Sequence, residues 1–86
     1  MEKKLNEYRK EIDSIDTEMK ELFLKRMSIS KKIGDFKKSN KLEVLDLNRE
    51  KEIIEKNSSD IDDKKMKEYY IEFYKKIIDI SKKHQL

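Results

Sequence analysis

The sequence predicts an all-α protein, and its composition and periodicity support this class. Among 86 residues there is no proline and one glycine, Gly34, so little interrupts a helix. Apolar residues recur at alternating spacings of three and four, which is the pattern of a helix that packs on other helices. With 48% charged and 35% hydrophobic residues, so small a chain buries little core alone. We therefore expect a helical bundle of more than one chain.

The first predicted helix covers about residues 3–39. Its apolar stripe consists of Leu5, Tyr8, Ile12, Ile15, Met19, Leu22, Ile29, Ile33 and Phe36. Such a helix is roughly 50 Å long, whereas a compact chain of this size has a radius of gyration of about 12 Å. The far half of the helix needs cover from a second chain, so we expect an intertwined homodimer.

Two shorter helices are predicted next, at about residues 47–57 and 61–85. The segment SNKLEVL at 39–45 breaks the pattern and is expected to be a loop, with Asp46 as the N-cap of the second helix. The acidic segment at 57–63 suits the N-terminus of the third helix. The apolar side of that helix consists of Met66, Tyr70, Phe73, Ile77 and Ile80.

The composition also excludes several kinds of site. Without cysteine, and with His84 as the single histidine, the chain has no disulfide, no thiolate nucleophile and no thiolate or histidine-rich metal site. No apolar run approaches the roughly 18 residues of a membrane span, and no signal peptide is present, which favours a cytoplasmic protein. The net charge is +3, but 19 interleaved acidic residues indicate a mixed surface and no nucleic-acid site. We expect one domain over residues 1–86.

An arginine occupies one position on the apolar stripe of the long helix. The spacing calls for a hydrophobic residue at Arg26, and only three of the 22 basic residues are arginines. Arginine presents a planar fork that binds carboxylates through two hydrogen bonds. An unpaired cation on a buried stripe is costly, so Arg26 needs an anion from the protein or from a ligand.

Other polar residues are spaced so that they can join Arg26. Lys37 follows three turns later and about 20° around the helix, whereas Arg9 lies about 42 Å from Lys37 and can reach it only from an antiparallel partner helix. Ser81 and Gln85 follow Ile77 on one face of the third helix, where its apolar stripe turns polar. Each feature alone also has an ordinary explanation, as a solvated lysine or a frayed helix end.

These positions, in order and at matching spacings, closely resemble those of the all-helical chorismate mutases. The resemblance covers nearly the whole chain and is carried by Arg9, Arg26, Ile33-Gly34-x-x-Lys37, Asp46-x-x-Arg49-Glu50 and Ser81-x-x-x-Gln85. It implies an intramolecular transferase that converts chorismate to prephenate, by a Claisen rearrangement in phenylalanine and tyrosine biosynthesis. It also implies an entwined homodimer with two sites, without covalent catalysis or a cofactor.

The resemblance further implies a role for each of these residues. Arg26 and the partner's Arg9 hold the two carboxylates of chorismate, and Ser81 supports a carboxylate. Lys37 and Gln85 donate hydrogen bonds to the ether oxygen, on which negative charge grows as the bond breaks.

The second helix is implied to bind the ring hydroxyl of the substrate. Glu50 accepts a hydrogen bond from this hydroxyl, the backbone N–H of Asp46 contacts the same group, and Arg49 orients the Glu50 region. One alternative is an isochorismate pyruvate lyase on the same scaffold, which Glu50 argues against. Another is a non-enzymatic helical or nucleic-acid-binding dimer, and the chain can also be one domain of a larger shikimate-pathway protein.

Overall fold

Three α-helices and two connections make up the chain, and the computed structural model describes all of residues 1–86. Helix α1 covers Glu2–Ser39, α2 covers Leu47–Ser58 and α3 covers Lys64–Gln85, and there is no strand. The all-α prediction, with one long, one short and one medium helix, is confirmed. None of the three helices combines the length and the apolar character that a membrane span requires.

The start of α3 differs from the prediction, because the helix begins at Lys64 rather than near residue 61. The Asp63 side chain accepts a hydrogen bond from the backbone N–H of Met66 at 3.0 Å and caps the helix. The N–H of Ile61 instead bonds to the carbonyl of Ser58 at 3.1 Å and closes a turn. Asp63, the last acidic residue of this connection, therefore sets where α3 begins.

The end of α1 is a tight reversal that brings the following loop back onto the helix. Lys41 is left-handed, with a φ of 56°, a conformation that costs a non-glycine residue about 1–2 kcal/mol. The N–H of Leu42 bonds to the Lys37 carbonyl at 2.7 Å and that of Lys41 to the Lys38 carbonyl at 3.3 Å, as in a Schellman motif. The loop carbonyl of Val44 then lies 3.0 Å from the Lys37 ammonium nitrogen.

Helix α2 begins at its predicted cap and lies against α3. The Asp46 carboxylate accepts a hydrogen bond from the N–H of Arg49 at 3.0 Å, which confirms Asp46 as the N-cap. Toward the other end of α2, the Asn57 side chain donates to the Tyr74 hydroxyl at 3.2 Å. Helix α2 contacts α3 and not α1, so α3 lies between the other two helices.

Helices α1 and α3 pack closely along the C-terminal half of α1 and run in the same direction. Arg26 of α1 pairs with Ser81, and Ser30, one turn later, pairs with Gln85. The buried residues of these two helices are Met27, Ser30, Gly34, Ile78 and Ser81. Small side chains therefore dominate the contact and allow the two backbones to approach.

The N-terminal half of α1 is left uncovered by the other helices, and every residue from 1 to 22 is exposed. The apolar stripe of α1 is not covered within one chain. The exposed fractions of its residues run from 43% at Ile33 to 65% at Leu22. The radius of gyration is 16.7 Å, against about 12 Å for a compact chain of this length. The accessible surface of 7582 Å² exceeds the roughly 5,400 Å² expected for a compact monomer of this mass.

Candidate active site

Arg26 is a partly buried cation whose protein partners are neutral. Its guanidinium donates a hydrogen bond to the Ser81 hydroxyl and lies 5.8 Å from the ring centre of Tyr74. Ser81 donates its own hydroxyl hydrogen to the Ile77 carbonyl at 2.9 Å, so it meets Arg26 as an acceptor. No carboxylate lies within 4.0 Å of the guanidinium, and most of its five N–H donors are left for another partner.

Gln85 is held by a serine that the sequence analysis missed. Its side-chain nitrogen donates to the Ser30 hydroxyl at 3.0 Å, and Ser30 donates to the backbone carbonyl of Ser81 at 3.3 Å. Ser30 is 3% exposed. Since its one hydrogen is directed at Ser81, it can only accept from Gln85, which fixes the orientation of the Gln85 amide. The available signal was that Ser30 lies four residues after Arg26, on the same helix face.

Gly34 brings the end of α3 against α1. A Cβ atom at this position would lie 2.6 Å from the Gln85 carbonyl oxygen and 2.8 Å from its Cα atom. Lys38, one turn later, donates from its ammonium group to the Leu86 carbonyl at 2.7 Å. Both contacts hold the last turn of α3, and with it the Gln85 amide, close to α1.

Lys37 lies in the last turn of α1, part-buried beside the loop. One of its three ammonium hydrogens is used by the Val44 carbonyl at 3.0 Å, which leaves two donors. Lys37 is also three residues after Gly34, so it shares the face of α1 that carries Ser30 and Gly34. The structure thus brings Arg26, Ser81 and Gln85 together at the α1–α3 contact, and Lys37 follows on the same face of α1 beside the loop.

Glu50 of α2 contacts a neighbouring side of α3 and pairs there with Lys82, a residue that the sequence analysis did not select. The Lys82 ammonium lies 3.0 Å from Oε1 of Glu50, and the side chains are 31% and 18% exposed, respectively. Oε1 is buried, and the ammonium is out of line for a hydrogen bond to it, so the contact is an ion pair and Oε1 has no hydrogen-bond donor. Since Lys82 directly follows Ser81, adjacent residues of α3 contact both Glu50 and Arg26.

The remaining predicted site residues do not meet this group within one chain. Arg9 is on the exposed N-terminal half of α1, more than four turns before Arg26. The Asp46 side chain caps α2, and the Arg49 side chain pairs with Glu52 at 3.3 Å on the exposed side of the helix. Their roles at the site stay predictions.

A groove of about 540 Å³ lies next to Arg26, between the middle of α1 and the first half of α3. Its lining is mostly hydrophobic and includes Phe23 and Tyr74, but it contains none of the other predicted site residues. Burial raises the pKa of Tyr70 in its wall, the nearby Tyr74 adds to this, and the Arg26 charge opposes it. No group of histidine, cysteine or acidic side chains in the chain is arranged to hold a metal ion.

The sequence of the chain also matches a known protein family. The sequence profile described as chorismate mutase type II matches residues 8–86, nearly the whole chain. The chain belongs to this family. As a type II chorismate mutase it is an isomerase, an intramolecular transferase that converts chorismate to prephenate. Searches of curated protein sequences and of solved structures gave no significant match.

Proposed function

We propose that this chorismate mutase acts through a site built around Arg26 and completed by a second copy of the chain. The observation that carries the proposal is the set of partners of Arg26. Its guanidinium is partly buried, donates to the neutral Ser81 hydroxyl and has no carboxylate within ion-pair distance. Such a cation favours an anionic ligand, and chorismate carries two carboxylates.

In this proposal, Arg26 and the partner's Arg9 bind the two carboxylates, and Ser81 supports one of them. The reaction is unimolecular: a C–O bond breaks while a C–C bond forms, so no nucleophile is needed. Holding the substrate in the compact conformer, with the two reacting carbons in contact, therefore accounts for part of the rate.

Lys37 and Gln85 donate hydrogen bonds to the ether oxygen of chorismate. Negative charge grows on this oxygen as the C–O bond breaks, so donors placed there stabilise the transition state more than the ground state. Lys37 has two ammonium hydrogens beyond the one used by Val44, and the Gln85 amide has one beyond the one used by Ser30. The free donors thus match the requirement of the reaction.

Glu50 accepts a hydrogen bond from the ring hydroxyl of chorismate. Its carboxylate is mostly buried beside α3, and it lies in the first turn of α2, where the helix dipole favours a negative charge. The backbone N–H of Asp46 contacts the same hydroxyl, and Arg49 orients the Glu50 region.

A second copy of the chain is part of the proposal because one chain leaves too much apolar surface open. The accessible surface exceeds that of a compact monomer by roughly 2,000 Å², an area of the size that permanent homodimers bury. An antiparallel α1 from the second copy covers the exposed stripe. It also carries the partner's Arg9 to the site, which Arg9 of the same chain does not reach.

Two further points concern the chain as a whole. Residues 1–86 act as one domain, since α3 contacts both other helices and joins them. The cytoplasm is the proposed location, because the family belongs to the biosynthesis of aromatic amino acids.

The role of Arg26 is tested by a product assay on the purified chain. We expect loss of chorismate absorbance with prephenate as the product, and loss of this activity in Arg26→Ala. The matched control is Lys25→Ala, which removes an exposed neighbouring cation and should keep full activity. Equal activity in the two variants would refute the role of Arg26. Isochorismate is assayed in parallel, since pyruvate release from it would indicate the lyase alternative.

The shared site is tested by combining two inactive variants. Arg9→Ala and Arg26→Ala are expected to be inactive alone. A mixed dimer has one site with both defects and one site with neither, so refolding the two variants together should restore about a quarter of the activity. No recovery, in a sample that contains mixed dimers by mass spectrometry of the intact complex, would refute a site shared between chains.

A further inference from the structure

The carboxylate of Glu50 is paired with a cation of α3 rather than with its neighbour in α2. Lys82 lies 3.0 Å from Glu50, whereas Arg49 pairs with Glu52 on the exposed side of α2. The ammonium is also 4.0 Å from Asp79, but that carboxylate is much more exposed, so the interaction is screened by water. Glu50 is therefore the principal partner of Lys82.

Because this pair is largely buried, Glu50 depends on the Lys82 ammonium as its counter-charge. The two side chains are 18% and 31% exposed, so removing Lys82 would leave a largely buried carboxylate without its counter-charge. A lysine acts as a point charge and here meets the oxygen Oε1. The other carboxylate oxygen of Glu50 keeps its lone pairs for a donor from outside the chain.

The place of Lys82 in the fold links it to the rest of the site. Consecutive helix residues point about 100° apart, so Ser81 faces Arg26 on α1 while Lys82 faces Glu50 on α2. One turn of α3 therefore contacts Arg26, which is proposed to bind a substrate carboxylate, and Glu50, which is proposed to bind the ring hydroxyl.

We propose that Lys82 is a positioning residue for recognition of the ring hydroxyl of chorismate. Its ammonium holds the Glu50 carboxylate in place, with the second oxygen directed at that hydroxyl. The inference rests on the proposed role of Glu50, and it predicts that Lys82 affects the reaction only through the ring hydroxyl.

The test compares two substrates on one set of variants. One substrate is chorismate, and the other is an analogue in which hydrogen replaces the ring hydroxyl. Lys82→Met removes the charge and nearly keeps the length of the side chain. We expect it to lower kcat/KM for chorismate by about ten- to a hundredfold, as for loss of a hydrogen bond to a charged group. With the analogue, the same variant should match the unaltered chain.

Three further variants separate positioning from a structural role. Lys82→Arg keeps the charge and should retain most of the activity, and Lys83→Met, an exposed neighbour, should change nothing. In a Glu50→Gln background, adding Lys82→Met should cause no further loss. If Lys82→Met does not fold, Lys82→Gln replaces it in the same comparison.

The outcomes separate this inference from the proposed function. If the unaltered chain converts chorismate but Lys82→Met loses the same factor on both substrates, the role of Lys82 is overturned and the mutase site stands. Unchanged kcat/KM for chorismate in Lys82→Met overturns it as well. If the unaltered chain does not turn over chorismate, both proposals fail.

Discussion

Replacing Gly34 with alanine should misplace the Gln85 donor while keeping the helices intact. The added Cβ would lie 2.6 Å from the Gln85 carbonyl oxygen, and ordinary contact begins at 3.4 Å, so α1 and the end of α3 must separate by about the difference of 0.8 Å. The nearest two atoms belong to the Gln85 backbone, which cannot rotate aside as a side chain can. The last turn of α3 must therefore move as a unit.

The size of this shift sets the expected loss of activity. A displacement of about 1 Å in a catalytic group can lower the rate about 10²-fold, so we expect kcat of Gly34→Ala to fall by about that factor. Stability should change less, because alanine gains about 1 kcal/mol of helix propensity over glycine, against an overpacking cost of about 1–3 kcal/mol. The net effect is a loss of roughly 0–2 kcal/mol in the free energy of unfolding.

The assay measures initial rates of chorismate loss by ultraviolet absorbance, and thermal unfolding by circular dichroism at the same protein concentration. Ser28→Ala is the matched control, since it lies on the exposed side of α1 and makes no hydrogen bond through its side chain. If Gly34→Ala unfolds near the temperature of the unaltered chain and also keeps its turnover, the close approach does not position Gln85 and the reasoning is refuted.

Three other variants test the donors at the ether oxygen. Lys37→Ala should lower kcat by about 10²–10³-fold. The control removes Lys32, an exposed lysine of the same helix, and Lys32→Ala should keep its kcat. Similar kcat values in these two variants would rule out Lys37 as a donor. Gln85→Glu donates only when protonated, so its rate should fall about tenfold for each pH unit above the carboxyl pKa of about 4.3. The unaltered chain should show no such fall, and parallel pH profiles would contradict the role of Gln85. Ser30→Ala should lower kcat by about fivefold, as for loss of one hydrogen bond of about 1 kcal/mol, because it frees the Gln85 amide. Full activity would show that Ser30 does not orient the amide.

The residues that interrupt an apolar pattern could be predicted from the sequence. Arg26 stands out because it replaces a hydrophobic residue, and Ser81 and Gln85 because they end the apolar face of α3. The Asp46 cap follows from a local rule about helix N-termini. These signals are contained in one helix, so they can be read without knowing how the helices pack.

Ser30 and Lys82 could not be selected in the same way. In a sequence with 48% charged residues, a lysine on α3 resembles the rest of the solvated surface, and its pairing with Glu50 depends on the angle between two helices. Ser30 lies four residues after Arg26, but that spacing becomes informative only when the Gln85 amide lies against Ser30. The role proposed for Arg9 depends on how a second chain packs on the first, which no pattern within one helix specifies.

The thin interior of the single chain has a consequence for how much enzyme is active at a given protein concentration. Only Met27 and Ile78 are buried apolar side chains, and each contributes about 1.5–3 kcal/mol, far below the entropy cost of ordering the chain. In the proposed homodimer, folding and pairing should therefore occur as one equilibrium, and the unfolding temperature should rise with protein concentration. At concentrations where most chains are unpaired, the concentration of active dimer should grow with the square of the chain concentration. A twofold change in expression should then change the rate of prephenate formation more than twofold.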